Sequence, residues 1–121
     1  MSIKHILAMS TLALASTVTS SAFAHAKLQS SDPQAGSTLE SAPKQVRLKF
    51  NEALEPAFSK IQVTGPQNSE VAVGATVIDT SDPAAMAAPL PQLPAGEYHI
   101  RWTAMTHDGH KMKGEVTFKV K

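Results

Sequence analysis

A chain of 121 residues without one cysteine has no disulfide, no thiolate metal ligand and no cysteine to carry a lipid. Eleven Lys and Arg against ten Asp and Glu leave it near neutral, which points away from nucleic acid and anionic membranes as partners. The length suits one small domain with a modest core, held by packing and backbone hydrogen bonds.

Residues 1–24 begin with Lys4 in a short basic start, continue as an apolar run over 6–15 and close on Ala22-Phe23-Ala24. This is the pattern of a secretory signal ending in an A-x-A cleavage site. The run is well short of the ~20 residues of a membrane span, and the small residues at 22 and 24 argue against an uncleaved anchor. Cleavage after Ala24 would leave residues 25–121 as a single exported domain with ten charges of each sign, because Lys4 is the only charged residue removed.

After residue 25 the apolar residues alternate with period two. Val46, Leu48 and Phe50 form the first such run, Ile61 and Val63 the second, Tyr98, Ile100 and Trp102 the third, and Val116, Phe118 and Val120 the last. Turn clusters lie between them at 31–33, 65–69, 81–83 and 93–96. The expectation is an all-β domain of about seven short strands in a sandwich or barrel, Ig-like in its general pattern. The Ala- and Pro-rich stretch 82–94 reads as a surface connection near an edge. Pro94-Ala95-Gly96-Glu97-Tyr98 reads as a corner in which the tyrosine hydroxyl ties back to nearby backbone, with Trp102 a core aromatic on the same strand face.

Four histidines follow the expected cleavage point: His25, His99, His107 and His110. Two fall in "THDGHKMKG" at 106–114, where Asp108-Gly109 is a hairpin signal, since glycine tolerates positive φ in a tight turn. The same stretch has a chemical reading. Asp108 and His110 stand two apart, so an extended backbone would turn both to one side, where a carboxylate and an imidazole could share a metal. Processing at Ala24 would make His25 the first residue, and its α-amine and Nδ1 could chelate one ion. With His110 and Asp108 the donor set becomes three nitrogens and one oxygen, which suits tetragonal Cu(II); zinc is accommodated but ranks below copper in divalent affinity. His107 would point away from Asp108 and His99 away from the core, so both are expected outside the ligand set. Lys111 and Lys113 read as solvated charges.

"HAKL" at 25–28, "SSDPQAGSTL" after it, "LKFNEALE" at 48–55, "LPAGEYHIRW" at 93–102 and "DGHKMKGEVTFKV" at 108–120 together resemble the CopC family of periplasmic copper-binding proteins, including its short YobA-like members. The resemblance covers nearly all of the chain after the signal. It implies a seven-stranded Greek-key β-barrel, cupredoxin-like, that holds one Cu(II) through His25, Asp108 and His110. By the same likeness Glu52, in "FNE", would be a weak axial group or lie just outside the ligands. It further suggests an inner-membrane CopD-like transporter as recipient. Longer members carry a methionine-rich loop suited to Cu(I). Here only Met86, Met105 and Met112 follow the signal, scattered along the chain, so no Cu(I) site is assigned.

Three functions compete. The first is a non-enzymatic, monomeric periplasmic Cu(II) carrier or sequestering protein for copper homeostasis and resistance. A copper monooxygenase built on an amino-terminal histidine chelate is the second, but the chain is short for a polymer-gripping face and poor in aromatics. The third is a metal-free exported β-sandwich whose hairpin merely contains Asp-Gly-His.

Overall fold

Period-two alternation turns every second side chain of a strand toward a facing sheet, and burial along this chain follows it. The computed structural model describes residues 27–121, so the signal reading at 1–24 and His25 lie outside the described residues. Among the described residues eight strands run in order: β1 (Leu28–Asp32), β2 (Ser37–Leu39), β3 (Gln45–Phe50), β4 (Lys60–Thr64), β5 (Val77–Ile78), β6 (Ala85–Pro89), β7 (Gly96–Met105) and β8 (Lys111–Val120). They form two four-stranded sheets, ordered β1-β3-β6-β5 and β2-β8-β7-β4. The architecture is an all-β sandwich of two separate sheets. The strand count exceeds the expected seven because β2 and β5, three and two residues long, are too short to show alternation.

The inner faces meet in one core. Val46, Leu48 and Phe50 from β3 and Met86 and Ala88 from β6 pack against Ile61 and Val63 of β4, Tyr98, Ile100 and Trp102 of β7, and Val116, Phe118 and Val120 of β8. Each large apolar side chain so buried contributes about 1.5–3 kcal/mol relative to exposure, and without disulfides this packing carries the fold. Phe50 meets Trp102 edge-on at 4.9 Å, and Tyr98 stacks on Phe118 at 5.4 Å. The expected corner is present: the Tyr98 hydroxyl donates to the Pro94 carbonyl at 2.6 Å.

The stretch 82–94 departs from its sequence reading. It holds β6, which lies between β3 and β5 with Ala85, Met86 and Ala88 buried. Its prolines do not disturb the ladder, because Pro83 precedes the strand, Pro89 sits at its last pair, opposite Gln45, and Pro91 and Pro94 lie beyond it. Alternation did not reveal this strand because Ala-Met-Ala-Ala is apolar at every position.

Two features of the topology position the site. β7 and β8 pair over ten residues each, and their hairpin loop projects from one end of the sandwich. β1 runs antiparallel to β3 with Leu28 opposite Phe50, so the start of β1 lies where β3 ends. Lys27 and Asn51 fasten that junction, through Asn51 N–H to the Lys27 carbonyl at 3.1 Å and Lys27 N–H to Asn51 Oδ1 at 2.7 Å. Three residues on, Leu54 bridges Thr106 at the end of β7. The start of β1 and the β7–β8 loop therefore share one end of the molecule.

Candidate metal centre

The loop is a three-residue connection between Thr106 and His110. Gly109 N–H donates to the Thr106 carbonyl at 2.9 Å, Thr106 N–H donates to the His110 carbonyl at 3.0 Å, and Gly109 takes φ +86°. A glycine in the left-handed region after a tight turn is the usual form of such a hairpin. The hairpin expected from Asp108-Gly109 is therefore present. The extended backbone expected to align Asp108 with His110 is not: the turn does it, bringing His110 Nδ1 to 3.4 Å from Asp108 Oδ2. Both side chains are more than half exposed and open to an incoming ion.

Beneath the loop lies Thr106, 1 % exposed. Its hydroxyl donates to Asp108 Oδ1 and accepts from the His110 N–H at 3.2 Å. The Thr106 hydroxyl first, and the neighbouring His110 charge after it, hold the Asp108 carboxyl below its ordinary value of 3.8. Asp108 is thus an anionic donor across the neutral range. Sequence reasoning quoted Thr106 without giving it a role; the available signal was a hydroxyl residue at the start of a turn, which can bond a nearby backbone group as Thr106 does with the His110 N–H.

Among the described residues no three His, Asp or Glu side chains gather to hold a metal, so the loop itself offers two donors. His25 lies outside the described residues, but the chain leading to it starts at this same end. Glu52 lies in the segment that joins the start of β1 to Thr106. Its Oε2 is buried and has no hydrogen-bond partner among the described residues. A buried carboxylate oxygen without a partner is costly, and a cation would satisfy it. Glu52 is not gathered with Asp108 and His110 into one donor cluster among the described residues. The oxygen and nitrogen pair of the loop is of a kind that suits a borderline divalent metal.

The other candidates fall elsewhere. His107 turns to Glu55, with Nδ1 2.5 Å from Oε1. His99 lies on the outer face of β7 and meets Glu115 Oε1 at 2.6 Å. Met86 is enclosed in the sheet holding β3, whereas Met105 and Met112 belong to the other sheet, so the thioethers are divided between the sheets.

Fold and loop together define a small β-sandwich with an Asp-His hairpin loop at the end where its first described strand begins. The CopC domain family model matches residues 28–121, and the chain belongs to the CopC family. It is 36% identical over 121 residues to protein YobA of Escherichia coli K12, covering 99% of this chain and 95% of that one. It is 42% identical over 110 residues to copper resistance protein C of Pseudomonas syringae pv. tomato, covering 86% of each. The crystal structure of PcoC, a methionine-rich copper resistance protein from Escherichia coli, superposes with a TM-score of 0.72 at 36% identity, covering 81% of this chain and all of that one.

Proposed function

We propose that this chain is a copper-binding protein of copper homeostasis and resistance that takes one Cu(II) as cargo. Kinship with copper resistance protein C supports the copper assignment. The ligands are the α-amine and imidazole of His25, the carboxylate of Asp108 and the imidazole of His110, with Glu52 as a weaker oxygen donor. Residues 1–24 are removed as a secretory signal, residues 25–121 form the binding domain, and the protein works as a periplasmic monomer. It sequesters copper or passes it to an inner-membrane CopD-like transporter. No enzymatic role is assigned.

One observation carries this reading: the turn sets Asp108 and His110 3.4 Å apart at the end of the sandwich from which the chain leads back to His25. A histidine exposed by processing supplies two nitrogens from one residue, so cleavage itself completes the site. The test is Cu(II) titration followed by electron paramagnetic resonance on protein beginning at His25, beside a form with one extra residue ahead of it. The expected result is one nitrogen-rich tetragonal Cu(II) in the first form and a lost or altered spectrum in the second. Equal binding by both forms, or by neither, removes His25 from the site.

A further inference from the structure

We propose that Glu55 and His107 form a clamp that holds the metal loop in register with the segment carrying Glu52, a positioning role for two residues outside the ligand set. Its consequence for copper rests on the reading above; its geometry does not. Residues 51–59 grip the end of β7 at successive points. Leu54 bridges Thr106, the Glu55 N–H donates to the Met105 carbonyl at 2.7 Å, and the Met105 N–H donates to the Ser59 hydroxyl at 3.3 Å. That hydroxyl is buried and donates to the Glu55 carbonyl at 2.9 Å.

These backbone contacts end at Thr106. Beyond it, among the described residues, the Glu55 carboxylate reaches across to His107 Nδ1 at 2.5 Å, a side-chain contact from outside the turn. His107 is the first residue of the turn, and Asp108 follows it. The pair thus carries the grip one residue further, to the neighbour of the first proposed loop ligand. The segment that carries Glu52 and the loop that carries Asp108 and His110 are thereby tied to each other at Leu54–Thr106 and at Glu55–His107. His107 is more than half exposed, so the contact is a surface pair, and its removal should change loop opening by about two- to fivefold.

The test uses protein beginning at His25 with Glu55→Ala, His107→Ala, both together, and Glu55→Gln, whose amide oxygen still accepts a hydrogen bond from the imidazole Nδ1–H. Amide hydrogen exchange at Gly109, whose N–H closes the turn, is measured without metal. Exchange should rise about two- to fivefold in each alanine variant, rise no further in the double variant, and stay near wild type in Glu55→Gln. Unchanged exchange, or a double variant equal to the product of the singles, overturns the clamp. With Cu(II) bound, release to EDTA should quicken by a similar factor with the electron paramagnetic resonance spectrum unaltered. A nitrogen coupling lost in His107→Ala would make His107 a ligand and overturn it too. Should the wild type take up no Cu(II), the copper reading fails, while exchange at Gly109 still decides the clamp.

Discussion

A single hydroxyl organises the residue chemistry of the loop. Thr106 serves Asp108 through its proton and His110 through its oxygen, so it sets both the charge of one proposed ligand and the backbone of the other. Thr106→Val keeps the shape and removes the hydroxyl. The Asp108 carboxyl should then rise toward 3.8, because its largest stabilising bond is gone, and the His110 N–H loses this acceptor. Stability should fall by about 1 kcal/mol, the usual net worth of such a bond. NMR titration of Asp108 and urea unfolding check both; an unmoved Asp108 titration would show that Thr106 is only a packing residue. Asp108 and His110 were legible as a pair in the sequence because their relation is local. Glu55 was not, since it meets His107 across 52 positions by a tertiary contact that no spacing rule encodes.

At the scale of elements, the β7–β8 hairpin depends on a close approach. Gly114 lies opposite Trp102, and a Cβ placed there would meet the indole at 2.5 Å. Gly114→Ala must therefore displace the ring that contacts Phe50, an overpacking defect costing about 1–3 kcal/mol. Because Trp102 is the only tryptophan, its fluorescence reports the shift directly, and denaturant unfolding gives the loss. An unchanged emission maximum with full stability would mean that the indole has room to yield. β3, β4, β7 and β8 were legible because each buries one face and wets the other, which is what alternation records. β6 escaped because its apolar run has no period, and β2 and β5 because they span less than two full alternations.

Across the whole molecule, charge fastens the outside of one sheet. Arg47 meets Asp79 Oδ2 at 3.0 Å, Lys49 meets Asp82 Oδ2 at 2.8 Å, and the 79–82 turn is thereby tied to β3. Hydrogen bonds from Ser81 lower the Asp79 carboxyl and one from Lys49 lowers that of Asp82, each below 3.8. A carboxyl depressed on folding adds stability that is complete above its unfolded value and is lost as pH falls through its folded one. Stability should therefore decline in acid below about pH 5, and Asp79→Asn should flatten that decline in urea unfolding at stepped pH. An identical slope in the variant would place the acid sensitivity elsewhere. The long hairpin also gives the molecule a polarity. β8 leaves the Asp108–His110 loop at Lys111 and ends at Val120, about 30 Å away at the rise of an extended strand, whereas β1 starts at the same end as that loop. A tether fused after β8 would present the loop outward to whatever approaches, and the same tether placed ahead of β1 would lie across it. The two ends of this fold are therefore not equivalent handles: one lies far from the loop, and the other lies at its side.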